Sequence, residues 1–178
     1  MRSSTVRAAA AAAFVALLLI APTASAQVIG DIRLPMPTAR IELAGPRVGV
    51  TWLEPGVQRK LADRDIDVSP MISQFGWQFE RHFLGVNEPI SPIMEFVVLV
   101  GGLDQGVFLP SLTWLVGLRG RNGAEIGVGP NLTPAGTALA IAAGVTIRQR
   151  TLNIPLHFAL VPSASGMRVS ALTGFTMR

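Results

Sequence analysis

Residues 137 to 161 constrain the fold most. Leu139, Ile141, Ala143, Val145 and Ile147 alternate with Ala138, Ala140, Ala142, Gly144 and Thr146, and a period of two specifies an extended strand. After a polar turn at Arg148 to Arg150, Leu152, Ile154, Leu156, Phe158 and Leu160 alternate with Asn153, Pro155, His157 and Ala159. One face of this hairpin is wholly apolar, while the other is small or polar. Such a hairpin suits a barrel whose outer face meets lipid.

The first residues set the compartment. Arg2 and Arg7 precede the apolar run Ala8 to Ile20, and Ala24-Ser25-Ala26 follows. This is the pattern of a secretory signal peptide, with cleavage expected after Ala26. Its removal leaves 152 of the 178 residues, a length that suits one domain. Two of the 15 basic residues belong to the leader, so 13 basic residues face 11 acidic ones in the remainder. That balance gives no basic footprint for nucleic acid. Cysteine is absent, which excludes disulfides, thiolate nucleophiles and cysteine metal sites.

Charged residues make up only 15% of the chain and hydrophobic ones 49%, so some surface has to lie in lipid or be paired. The longest apolar runs beyond the leader, such as Phe96 to Val100 and Ala138 to Ala143, are far short of the ~20 residues a spanning helix requires. Segments this short cross a bilayer only as strands of a closed barrel.

Residues 27–38, with Pro35 and Pro37, form a periplasmic lead-in, and residues 39–178 the barrel domain. Ala39 to Leu53 alternates across a break at Gly45-Pro46, where a bulge is expected. From Met71 to Phe83, Phe75, Trp77, Phe79 and Phe83 oppose Gln74, Gln78, Glu80 and His82, and Arg81 falls on the aromatic face, where it would snorkel at the rim. Pro92 to Val100 is apolar on both faces except for Glu95, so its inward side needs an apolar neighbour. Val107 to Arg119 returns the chain, Asn122-Gly123 marks a tight hairpin, and a fifth strand ends at Pro130. Asn131 to Pro134 and Pro162 to Gly166 are turns, and Met167 to Arg178 is the last strand. The class expected is all-β, a single antiparallel up-and-down barrel of about eight strands.

The inward faces then collect a polar network of Gln78, Glu80, His82, Glu95, Arg119, Glu125, His157 and Arg168, with Gln74 and Asn153 beside it. Eight strands leave room for side chains but hardly for a channel, and charges in so narrow a space have to be paired. Glu80 and Arg168 are expected to share that pairing. In this arrangement of strands and turns, residues 39–178 resemble the eight-stranded bacterial outer-membrane barrels as a class. The resemblance implies outer-membrane residence with lipid as the surrounding medium. It carries no active-site motif. The class commonly ends on an outward aromatic residue, whereas here Phe175 is followed by Thr176, Met177 and Arg178.

Residues 54–70 interrupt the alternation and form the longest outer loop. Val57 and Leu61, four apart, suggest a short helix lying against the barrel mouth. Arg59, Lys60, Asp63 and Arg64 would complete a surface for an envelope protein partner.

Other chemistry is poorly supported. His82 beside Glu80 has the composition of a base and its orienting carboxylate, but no nucleophile motif accompanies it. Asp63, Asp65 and Asp67 alternate like calcium-loop ligands, yet Val68 and Gln74 stand where that loop needs Gly and Glu. Gly117 to Gly129 lacks a phosphate-loop Lys, and Asn131-Leu132-Thr133 is a glycosylation sequon without a bacterial use. No catalytic residue, cofactor or metal is expected. The reading is an integral outer-membrane barrel with a structural or envelope-interaction role. Two alternatives are a soluble periplasmic lipocalin-like barrel that turns its apolar face inward around a hydrophobic ligand, and a membrane-barrel lipid hydrolase. The direction of the apolar faces separates the soluble reading from the other two.

Overall fold

The computed structural model describes residues 43–82, 90–149 and 151–177, so the expected leader at 1–26 and lead-in at 27–38 lie outside the described residues. In chain order the elements are β1 (Gly45–Leu53), α1 (Pro55–Ala62), β2 (Met71–His82), β3 (Ile90–Gly101), β4 (Leu109–Gly120), β5 (Ala124–Thr133), β6 (Gly136–Gln149), β7 (Leu152–Ser163), β8 (Gly166–Gly174) and β9 (Thr176–Met177). A single 3-10 turn at Leu103–Gln105 joins β3 to β4. Each strand from β1 to β8 pairs antiparallel with the next, and β8 returns to β1 from Arg47↔Gly174 to Leu53↔Arg168. The sheet therefore closes as an eight-stranded up-and-down barrel. β9 continues β8 in the same register on β7 after an interruption at Phe175. The interruption lies near Pro155, which has no N–H to give the ladder.

The pleat sorts the side chains by sign. Val48 and Val50 on β1, Phe75, Trp77 and Phe79 on β2, Trp114, Val116 and Leu118 on β4, and Leu139, Val145 and Ile147 on β6 all point outward and are exposed. Arg47, Gln78, Glu95, Arg119, Asn153 and His157 alternate with such residues and are buried inside. A barrel dissolved in water would have the reverse arrangement, so the lipocalin-like reading is overturned. Among the described residues no helix is long and apolar enough to cross a membrane, which says nothing of the strands.

Several boundaries differ from the sequence reading. Gly45 and Pro46 pair in unbroken register with Gln78 and Trp77, so β1 has no bulge there. β5 does not end at Pro130 but runs to Thr133. Pro130 keeps its place opposite Leu139 of β6, while the pairing with β4 lapses at Gly129 and Pro130. A proline tolerated in this way interrupts one ladder without ending the strand, and Asn131 consequently faces the interior rather than a turn. Likewise β7 runs through Pro162, paired with Met167. The Asn122-Gly123 hairpin is formed as expected, with Gly123 at φ 85° and the Ala124 amide donating to Asn122 Oδ1 at 3.1 Å.

The barrel interior is layered. At the mouth, Val57 and Leu61 of α1 pack on Leu53, Ile72, Leu109 and Ala135. Below them Leu115, Ala140 and Val161 form a second apolar group. This answers the requirement of β3, whose inward Val97 and Leu99 are buried in the apolar half. Apart from Glu54 and Arg168 near the mouth, the buried charged side chains occupy the other half.

Candidate functional site

Arg119 is the centre of the interior charge. Its Nε donates to Glu125 Oε2 at 2.6 Å, and its Nη2 donates to Glu80 Oε2 at 2.7 Å and approaches Glu95 Oε1 at 3.3 Å. Its Nη1 also donates to Glu80 Oε1. One guanidinium thus meets three carboxylates delivered by β2, β3 and β5. Register makes this possible, because Arg119 stands opposite Glu125 and Glu80 opposite Glu95 across neighbouring strands.

The cluster extends on both sides. His82 Nε2 lies 2.8 Å from Glu80 Oε1, and His157 Nε2 lies 2.5 Å from Glu125 Oε1; the second contact is close without the alignment of a hydrogen bond. Gln78 donates to Glu95 Oε1 at 2.7 Å and accepts from Arg47 Nε at 2.9 Å. Arg47 then ends on the carbonyl oxygens of Pro46 and Leu43. Gly144 makes room for the His157 end, since a Cβ there would stand 2.5 Å from His157 Cδ2 and 3.1 Å from Glu125 Oε1.

The structure therefore brings Gln78, Glu80, His82, Glu95, Arg119, Glu125 and His157 together. It does not bring Arg168 to them. Arg168 enters β8 near the α1 end of the barrel, where its Nη1 donates to Thr133 Oγ1 at 2.5 Å. Among the described residues no carboxylate pairs with it. Arg168 stays outside the network to which Glu80 belongs because the two side chains point inward at different heights, a relation set by register across the barrel.

Arg47 was not anticipated. It is 1% exposed, and its parity with Gly49 and Thr51, opposite Val48 and Val50, was the available signal. Two hydroxyl–amide groups were missed as well. Thr51 donates to Gln74 Oε1 at 2.5 Å and lies 2.6 Å from Ser170 Oγ. Asn131 donates to Ser111 Oγ at 3.0 Å and to Thr113 Oγ1 at 2.7 Å.

At the mouth, Pro55 opens α1 at a position where its missing N–H costs nothing. Val57 and Leu61 are buried, each worth about 1.5–3 kcal/mol when removed from water. They fasten the helix and leave no surface for a partner. Arg59, Asp63 and Arg64 are exposed and Lys60 half-buried. Arg64 donates to the Pro134 carbonyl, and Gln58 donates to the Val68 carbonyl at 2.9 Å. Glu54, which precedes the helix, accepts from the Met167 amide at 2.9 Å. Gly56 lies so close to the β7–β8 turn that a Cβ would stand 1.9 Å from the Ser165 carbonyl oxygen. Outside the barrel wall, Ser73 Oγ donates to Asp104 Oδ1 at 2.6 Å, which holds this exposed carboxyl below its ordinary value.

The chemistry open to the charge cluster is narrow. Glu80 gives both oxygens to Arg119, so it is poorly placed to serve His82 as an orienting group alone. Among the described residues no group of three His, Asp or Glu is arranged to hold a metal ion.

No family model matches the chain, and no curated protein matches it. Among solved structures it is similar to Ail, the attachment invasion locus protein of Yersinia pestis, crystallised in complex with the heparin analogue sucrose octasulfate. The likeness is 13% in sequence over 74% of this chain and 95% of that one, with a TM-score of 0.27. Likeness of this degree carries no argument about role, and the barrel assignment rests on the strand pairing itself.

Proposed function

We propose that the chain is an integral outer-membrane barrel, exported by a leader removed after Ala26, with a structural and envelope-interaction role and no catalysis of its own. The observation that supports this most is an outer wall of apolar side chains around an interior whose carboxylates are taken up by Arg119. Such a wall suits lipid, and an interior committed to its own pairing has little capacity for substrate. The capped mouth favours a partner over pure scaffolding. α1 is fixed by Val57 and Leu61, so Arg59, Asp63 and Arg64 are held on a rigid element instead of a loose loop.

The test has two arms. Density-gradient fractionation with intact-mass analysis should recover a protein starting at Gln27 in the outer membrane, and recovery in the soluble periplasm rejects the membrane reading. Cross-linking in envelopes should then capture protein partners that an Arg59→Glu, Arg64→Glu variant loses while its barrel stays folded. Retention of every partner by that variant rejects the role of α1.

A further inference from the structure

Arg81 is the one charge that the barrel itself does not account for. It shares the outward parity of Phe75, Trp77 and Phe79 on β2, is exposed, and stands beside Met94 of β3. Among the described residues no other strand sets a charged side chain on its outward face, and no hydrogen bond or ion pair reaches Arg81. The adjacent Glu80 points inward and gives both oxygens to Arg119. An exposed guanidinium on an apolar wall therefore has to find its anion outside the chain.

The rim on which it sits has a single sign. Arg81 is the last residue but one of β2, at the end of the barrel opposite α1. Arg121 in the β4–β5 turn and Arg148 near the end of β6 are exposed at the same end, and Arg148 Nη2 donates to the Arg121 carbonyl oxygen at 2.5 Å, which holds it against that turn. No exposed carboxylate accompanies these three arginines among the described residues of this rim. At the α1 mouth, by contrast, Asp63, Asp65, Asp67 and Asp104 are exposed together with Arg59 and Arg64. β1 begins and β9 ends at the arginine rim, so a periplasmic lead-in puts that rim on the periplasmic side.

We propose that the arginine rim is a docking surface for anionic phospholipid headgroups, with the Arg81 guanidinium on the headgroup phosphate; this rests on the membrane reading. A guanidinium offers a phosphate two parallel hydrogen bonds, and its aliphatic stem stays at the apolar wall while the charge reaches the interface. A zwitterionic headgroup brings its own cation to a rim whose exposed charges are already cationic, so a lipid of net negative charge is preferred. One arginine close to an anionic lipid surface is worth about a fivefold preference, confined to a Debye length.

Trp77 reports the lipid beside Arg81, being outward on the same strand and about 13 Å away along it. The chain with Trp52→Phe and Trp114→Phe is refolded into vesicles of equal parts phosphatidylglycerol and phosphatidylcholine, with bromine on the acyl chains of one lipid or the other. Brominated phosphatidylglycerol should quench Trp77 more strongly, by a relative preference of about three- to fivefold. Arg81→Gln should bring the preference below about twofold, as should about 1 M sodium chloride with Arg81 intact, where the Debye length falls to roughly 3 Å. Sodium phosphate should compete no better than sodium chloride of equal ionic strength, since the occupant is a headgroup. Equal quenching by the two lipids, a preference unmoved by salt or by Arg81→Gln in a folded barrel, or stronger competition by phosphate would each overturn the proposal. Quenching by neither lipid would overturn the membrane reading itself, and the proposal with it.

Discussion

Replacing Arg119 by Met tests the interior most severely. The aliphatic part of the side chain is retained, but Glu80, Glu95 and Glu125 lose the cation that all three approach. Arg119 is 3% exposed, so water cannot readily take its place. Removing one partner of a buried pair costs about 3–5 kcal/mol, because a charge is left without compensation. Here three carboxylates are left facing one another, and the loss should reach at least that range. With a urea dependence of roughly 2 kcal/mol per M, the unfolding midpoint should fall by about 1.5–2.5 M. Emission of Trp52, Trp77 and Trp114, all in strands, follows the transition in lipid vesicles. Adding Glu80→Gln and Glu125→Gln to Arg119→Met should recover part of the loss, since the uncompensated charges are then removed. A midpoint lowered by less than about 0.5 M, with no recovery in the combined variant, would refute the paired interior.

Three further outcomes follow from local geometry. Leu61→Ala should cost about 2–4 kcal/mol at the mouth, seen as faster amide exchange across α1 with a smaller effect on the barrel strands; uniform protection would show that the helix is not held by this side chain. Gly144→Val should destabilise the barrel by about 1–3 kcal/mol, because its Cβ would stand 2.5 Å from His157 and 2.9 Å from the Leu156 carbonyl oxygen, and an unchanged urea midpoint would contradict this packing. Asp104 should titrate below its ordinary value of 3.8 by carboxyl NMR, and Ser73→Ala should raise it. Because the folded value is the lower one, this bond stabilises above the unfolded pKa and is lost as pH falls through the folded one; a midpoint indifferent to Ser73→Ala would remove the contribution.

The strands were legible because alternation is a local property. Leu139 to Ile147 and Phe75 to Phe79 declare their outward face without any knowledge of neighbours, and their opposite positions name the interior residues automatically. Val57 and Leu61 announced a helix face by spacing alone. What could not be read was height within the barrel. Glu80 and Arg168 share the interior, yet their separation depends on registers accumulated around the closed sheet, which no single strand records. Arg47 was hidden by the Gly-Pro pair before it, which reads as a break, and Pro130 looked like a strand end because its sequence does not say which of two ladders it interrupts. That Arg168 meets Thr133 was out of reach for the same reason, since an inward arginine acquires its partner only at a particular height.

Whether the alternating apolar faces lie in lipid can be measured directly. Single-tryptophan variants retaining Trp77 or Trp114, the other two tryptophans changed to Phe, can be refolded into vesicles containing brominated lipids. Both side chains point outward and are about half exposed at the barrel wall. Strong quenching of each by the bromine atoms and little quenching by aqueous iodide are expected. Emission that is quenched by iodide and insensitive to brominated lipid would contradict a lipid-facing wall.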